Sequence, residues 1–434
     1  MMGDFEWSYN AEVSNNLLSL NPLIARAAKG IDYIPTDKND QSYGETPCIG
    51  FANASKIMID NYLINTDKVF MATSCGLGGQ SIELLSKNCP NNNSARYTKF
   101  LDTLKKANEL KGDKSLSCSA LIWMQGEWNE SSHADQGWED GEYSTANKDD
   151  YKAYLIGGTV THKVTEEGET TRSLLVNGLI NDMLSDIKTE YSQENNPIVL
   201  CTQPGNAFMR FSDIPIYMAF LEAHNEKDEL TLVTPLYRVT DRGGHLDANG
   251  SCWVGELLAK VYYKRVILGK NWKPLQPNYI EINQKSILIK FDVPEPPLVF
   301  DTNQVRAVTN YGFAVRVNGV EKTISSVSII STDTVEIIMN DIISSSDIVE
   351  ISYAGLDKRY GNLRDSDKWV SRAVYKDLDS LIENPEGISY RPTWEPKDEN
   401  GDIIYGKPYP CQNFCLHFYY KLEANVNKLV INTK

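Results

Sequence analysis

Histidine is scarce in this chain. There are five in 434 residues: His133, His162, His224, His245 and His417. Any reaction that needs an imidazole base must draw on one of them. Long apolar runs are missing as well. None reaches the roughly 20 residues that cross a bilayer as a helix, so no membrane span is expected. A basic surplus is absent too. The formal net charge is −15, and phosphate-rich surfaces would be repelled, which argues against nucleic acid and anionic membranes as partners. The eight cysteines show no metal-ligand spacing. Their nearest pair, Cys411 and Cys415, reads as core thiols or one disulfide. No metal and no cofactor are expected. The opening "MMGDFEWSYN" is acidic and poor in apolar residues, unlike a secretory signal.

What is present is ordinary globular material, 41% hydrophobic and 23% charged. The length exceeds one ordinary core, so two domains are expected. Four short apolar runs read as buried strands: 68–74, 119–124, 197–202 and 230–235. Between them lie segments with helical apolar spacing, at 51–64, 94–110, 173–191 and 251–267. Val176, Ile180, Met183, Leu184 and Ile187 share one face of the third. Ser251 is the expected N-cap of the last. Residues 131–172 are polar and read as a long insertion. Strands alternating with helices predict a parallel sheet covered on both faces, with reactive groups at the carboxyl ends of its strands. Three of the four strands end in polar turns containing Gly, at 74–81, 125–130 and 203–206.

Near residue 270 the pattern changes. "NWKPLQPNY" is a proline-containing linker. Period-two segments come after it, including "SILIKF", "FAVRVNGVEKTI" and "TVEIIM", with a hairpin signal at Asn318-Gly319. The expected division is an α/β domain over 1–270 and a β-sandwich over 275–434. No element is assigned to the aromatic tail beyond about 356.

Three stretches carry chemistry. In "ATSCGLGGQSIELL", Gly76, Gly78 and Gly79 stand between a strand and a helix. Such a turn can aim backbone N–H groups at an oxyanion, although glycines there also serve a plain tight turn. In "LIWMQGEWNE", a strand delivers Gln125, Glu127, Trp128 and Asn129. Asn129 could donate to the same oxyanion and Glu127 could orient a histidine; the bland reading of each is a solvated strand end. In "DRGGHLDANGSCWVGELLAK", His245 comes after two glycines just ahead of a helix. A lone histidine is more often a core or surface residue than a base, but the flanking glycines would leave this ring exposed and orientable.

Together these stretches resemble the SGNH (GDSL-like) hydrolases, in particular the carbohydrate and sialate O-acetylesterase branch. The carrying residues are Gly78-Gly79-Gln80-Ser81-Ile82-Glu83, Trp123-Met124-Gln125-Gly126-Glu127-Trp128-Asn129, Gly243-Gly244-His245-Leu246 and Gly255-Glu256-Leu257-Leu258-Ala259, with "GETPCIGFAN" (44–53). The likeness covers about residues 40–270 and implies a flavodoxin-like parallel sheet with helices on both faces. "GNLRDSD" (361–367) more faintly resembles a sandwich appended to some of these esterases. The implied reaction is hydrolysis of acetyl esters on an O-acetylated glycan by a Ser-His-acid system. The resemblance implies His245 as base, Gly78 or Gly79 and Asn129 as oxyanion donors, and Glu127 or Asp241 as orienting acid. Gln125 and Trp128 are expected to touch substrate.

The sequence departs from the family twice. Arg242 stands where the acid usually lies, three residues before the histidine, and Asp241 is one residue further, which favours Glu127 as orienter. The family's nucleophile block, a strand leading into Gly-Asp-Ser or Gly-Gln-Ser, has no match ahead of "GETP". Ser8 has no glycine before it, and Ser81, though in "GGQS", belongs to the second block. One expectation is that a separate polypeptide supplies the first strand and the serine. Others are that residues 3–10 fill that place, or that strands 68–74 and 119–124 pair directly in an inactive scaffold. Three functional readings compete: an active carbohydrate O-acetylesterase, a glycan-binding or structural protein on a hydrolase scaffold (a phage virion component, for instance), and a lipid or thioester hydrolase. Trp123, Trp128 and Trp138 would suit a sugar face better than an acyl tunnel, with core packing as their commoner fate.

Overall fold

A computed structural model describes residues 46–62, 95–113, 115–127, 180–210, 212–381 and 391–434, with isolated positions at 72, 75, 76, 85, 87 and 389. The expected strand 68–74, the insertion 131–172, and Ser8, Gly78, Gly79, Ser81, Trp128, Asn129 and Trp138 lie outside the described residues.

Three of the four expected strands form one parallel sheet: β1 (Ala120–Trp123), β2 (Ile198–Gln203) and β3 (Leu230–Pro235), in that order. Ala120 stands opposite Ile198, and Val199 opposite Leu230. The near-continuous apolar sequence of β2 and β3 matches burial on both faces, as a parallel sheet requires. Alternate residues enter different cores. Val199, Cys201, Leu230 and Leu232 join one, where α2 (Ala95–Leu110), α3 (Asn181–Tyr191) and α4 (Pro215–Glu226) pack. Leu200 and Val233 join the other, beneath α1 (Pro47–Tyr62) and α5 (Ala248–Tyr262). The pleat thus sends successive side chains to opposite helical layers. Among the described residues β1 pairs on one side only, with β2, and three of its four residues are partly exposed. Between β3 and α5 the chain makes a short hairpin of β4 (Asp241–Arg242) and β5 (His245–Leu246).

On α3 the expected Ile180, Met183, Leu184 and Ile187 are buried. On α5 the start differs from expectation. Asp247, not Ser251, is the N-cap: its Oδ1 accepts from Gly250 N at 2.7 Å and from Thr240 Oγ1 at 2.7 Å. Ser251 is already in the first turn, its N–H bonded to Asp247 O. The helix also stops being α-helical earlier than expected, because residues 263–267 wind as a π turn. Helices α1 and α5 touch through glycine. A Cβ on Gly255 would lie 2.6 Å from Phe51 N and Pro47 O, so no side chain fits there.

Residues from 276 onward are rich in antiparallel strands, as the period-two pattern predicts. Two sheets carry most of them. The first has five strands: β6 (Gln276–Asn283), β7 (Ser286–Asp292), β10 (Ile324–Ile329), β11 (Thr334–Met339) and β14 (Lys428–Val430). The second has four: β8 (Phe313–Val317), β9 (Val320–Glu321), β12 (Ile348–Tyr353) and β13 (Phe418–Glu423). Ile287 and Ile289 of the first share a core with Val315 and Ile351 of the second. Asn318 and Gly319 turn the β8–β9 hairpin with φ of 51° and 79°. The unassigned tail supplies a strand to each sheet, β13 beside β12 and β14 beside β6. Cys411 and Cys415 are buried free thiols.

The two halves share packing. The buried Arg238 guanidinium donates to the carbonyls of Gln412 and Pro410 and lies 4.8 Å from the ring centroids of both Trp253 and Phe414. The buried Lys260 ammonium of α5 meets Cys411 O and Asn413 Oδ1 at 2.6 Å and Asp367 at 3.2 Å. Burial lowers its pKa, and Asp367 opposes that shift. An ammonium buried here is tolerable because each donor has a partner.

Candidate active site

Where β1 ends, the chain turns sharply. Gly126 has φ 137°, and a Cβ on it would lie 2.6 Å from Pro204 Cγ and 2.9 Å from Ile216 Cγ2. Only glycine permits this approach, and it brings Glu127 against the turn after β2. There Gly205 N–H donates to Glu127 Oε1 in a long contact of 3.4 Å. Burial raises the pKa of Glu127, while N–H bonds from its own backbone and Gly205, and the nearby His245, pull it down.

After β3, the hairpin of β4 and β5 sets Arg242 opposite His245. Gly243 and Gly244 make the turn at φ 64° and 96°. Positive φ at both central residues defines the turn that suits a twisted hairpin. Asp241 Oδ1 closes it by accepting from Gly244 N at 2.8 Å. Asp241 also feels burial, which raises its pKa, against Gly244 N–H, Arg306 and His245, which lower it. The hairpin rests on the segment after β2: a Cβ on Gly205 would lie 3.4 Å from Gly244 O, and the Phe208 ring meets His245 edge-on at 5.8 Å and 79°. The segments that leave β1, β2 and β3 therefore meet at one edge of the parallel sheet.

His245 is exposed at this edge. His224 and His417 are fully buried, each with Nδ1 against a backbone carbonyl: Leu230 O at 3.1 Å and Ala354 O at 2.8 Å. Burial pushes both down to about 3, so they stay neutral near pH 7. His133 and His162 lie outside the described residues. Among the described histidines, His245 alone is accessible to a substrate.

The structure thus brings His245, Asp241 and Glu127 together. Among the described residues no side chain hydrogen-bonds the His245 ring. Asp241 instead holds the turn and Glu127 the Gly205 N–H. The exposed ring can accept a proton from a hydroxyl. Gln125 is half-buried at the β1 tip. Trp123 corrects the sugar-face expectation: it is 8% exposed and belongs to the core. Its place on a strand covered by helices is the reason. The oxyanion candidates Gly78, Gly79 and Asn129 lie outside the described residues. Gly205 lies in the expected polar turn 203–206; sequence reasoning missed Phe208 just beyond it, although the strand-end "QPGNAF" is the signal that could have found it.

Among the described residues the molecule is a mixed α/β protein, a three-stranded parallel sheet joined to antiparallel sheets. No protein-family model matches the chain, and no curated protein resembles it in sequence. A solved structure of a carbohydrate acetylesterase from Xanthomonas citri overlaps it with a TM-score of 0.48 and 12% identity, over 75% of this chain and 63% of that one. The chain therefore spans under two thirds of that protein's length. The surface layer protein SbsC, domains 1–6, overlaps 28% of the chain and 15% of its own length, with a TM-score of 0.18 and 16% identity.

Proposed function

We propose that this protein is an SGNH-type ester hydrolase acting on O-acetylated carbohydrate, with His245 as general base. The observation that carries the reading is the exposed His245 on a Gly-Gly hairpin, with Glu127 and Asp241 close enough to act on its charge. In this reading a serine attacks the acetyl carbonyl while His245 takes its proton. The developing imidazolium is stabilised by Glu127, whose Oε1 is already steered by Gly205 N–H. Asp241 acts one step back, by holding the turn. Gly78 or Gly79 and Asn129 are the proposed oxyanion donors, and Gln125 and Trp128 the proposed sugar contacts. The flavodoxin-like strand order belongs to the same proposal, with strand 68–74 and a serine-bearing strand beyond β1. The serine is either Ser81 or one carried by a separate polypeptide.

A second reading is a glycan-binding or structural protein on the same scaffold. It is favoured by one observation: no described serine reaches the His245 ring. The discriminating experiment is turnover of p-nitrophenyl acetate by the purified protein and by His245→Ala, then mass mapping of a serine-directed phosphonate. The esterase reading expects turnover that His245→Ala lowers by at least about 100-fold, the scale of general-base catalysis. Equal rates for both proteins would leave the second reading standing.

A further inference from the structure

A second site is built where the His245 hairpin meets the antiparallel half. A narrow cleft, open to solvent, is lined by Asp241, Gln304, Arg306, Tyr360, Thr393 and Trp394 among others. Three polar atoms of these side chains are buried without a hydrogen-bond partner, Gln304 Oε1, Arg306 Nε and Trp394 Nε1, and so is Nε of Arg238, which also lines the cleft. Buried polar atoms are ordinarily paired, and four orphans around one cleft need a common explanation.

Each is held in place by its other contacts. Gln304, 9% exposed, donates through Nε2 to Asp301 Oδ2 and Gln412 Oε1, both at 3.1 Å. Two acceptors on the nitrogen fix the amide orientation, so Oε1 is the free acceptor. The Arg306 guanidinium covers Tyr360 at 4.4 Å and donates through Nη2 to Thr393 Oγ1 at 3.1 Å, which leaves Nε–H. The Lys397 ammonium lies over the Trp394 ring at 5.3 Å, so the indole offers its N–H edge rather than a free face. Three fixed donors and one fixed acceptor form a set that suits a hydroxyl, which can accept and donate at once. Asp241 beside them, and the net charge of −15, disfavour an anion.

We infer that this cleft is a binding subsite for a neutral sugar, and that it receives a hydroxyl edge of the glycan unit next to the esterified one. Asp241 ties the two places together, because it lines the cleft and closes the turn that carries His245. The antiparallel half then forms one wall of the substrate groove. That the sugar belongs to an ester substrate rests on the function proposed above; that a sugar binds here does not.

The test is binding, not turnover. Xylotriose, cellotriose and chitotriose are titrated against the full chain, with saturation-transfer NMR and calorimetry as readouts. Arg306→Met and Trp394→Phe each remove one free donor and keep most of the bulk. At least one trisaccharide should bind the unaltered protein, and each variant should weaken that binding tenfold or more while melting at the same temperature. The proposal is overturned if none binds, in which case the four atoms hold water, or if both variants bind as well as the unaltered chain. Loss of the esterase reading alone would look different: no ester turnover, with trisaccharide binding and its sensitivity to Arg306 and Trp394 intact.

Discussion

Gln203, at the end of β2, pairs with the backbone of His417 as a neighbouring strand would. Its Oε1 accepts from His417 N at 2.8 Å, and its Nε2 donates to His417 O at 3.0 Å and to Tyr217 O at 3.0 Å. All of these groups are buried. One side chain therefore fastens the parallel sheet to the segment that leads into β13.

Replacing Gln203 with Leu keeps the bulk and strands two backbone groups, the N–H and C=O of His417. Each buried, unpaired group costs about 1–3 kcal/mol, so a total of several kcal/mol is expected. For a chain of this size that is a melting temperature lower by roughly 10 °C. Calorimetry of Gln203→Leu measures it. An unchanged melting temperature would mean that the seam relaxes and re-forms those bonds.

Glu256 links pH to the same seam. Its Oε1 accepts from Arg372 N at 3.0 Å and Ala373 N at 2.9 Å, and burial pushes its carboxyl up from 4.5 to about 7. The folded state therefore holds this proton more tightly than the unfolded chain. The stabilisation is full below about 4.5 and is lost as pH rises through about 7. Its upper bound is on the order of 3 kcal/mol. Glu256→Gln keeps an acceptor oxygen and carries no charge at any pH. Melting curves of the two proteins should coincide near pH 5 and separate toward pH 8, with the variant higher. Curves that run parallel across this window would show that the Glu256 proton does not govern the seam.

The two turn glycines offer a paired comparison. A Cβ at Gly244 would lie 2.7 Å from Phe208 Cε2 and 2.8 Å from Ala207 Cβ, whereas one at Gly243 meets nothing within 4 Å. Both substitutions place Ala at positive φ, at a cost of roughly 1 kcal/mol each. Only Gly244→Ala must also push the hairpin off Phe208 and move His245. On p-nitrophenyl acetate, Gly244→Ala should lose at least about tenfold more kcat/KM than Gly243→Ala, since small misplacements of a catalytic group have effects of this size. Equal losses would detach the Phe208 contact from any role in positioning His245.

Much of the α/β half is legible in the chain because burial on both faces leaves little freedom of composition. The runs at 119–124, 197–202 and 230–235 are nearly continuous in apolar residues, and each becomes a strand within a residue or two of its expected bounds. The exposed turn at His245 is legible for a local reason, two glycines in a row ahead of a helix, but its pairing as a hairpin is not. The N-cap of α5 is not legible in the same way. Asp247 and Ser251 are both good caps, and Thr240, donating from across the hairpin to Asp247, helps select the first. The tail from 356 resists reading because β13 finds its partner β12 some 65 residues earlier in the chain. Nothing in the sequence around Phe418–Glu423 names that partner.

Residue types, their order and their local spacing already establish an alternating α/β half, a strand-rich second half and a short list of polar strand ends. Proximity and burial come from folding. Two histidines are sealed in the core and His245 is left in solvent; Trp123 is turned inward. Gln304, Arg306 and Trp394 converge beside Asp241 although up to 153 residues separate them. Solvation is the physical reason. Whether an imidazole can take a proton, or an indole can meet a sugar, depends on what surrounds it, and those neighbours arrive from distant parts of the chain only when it folds.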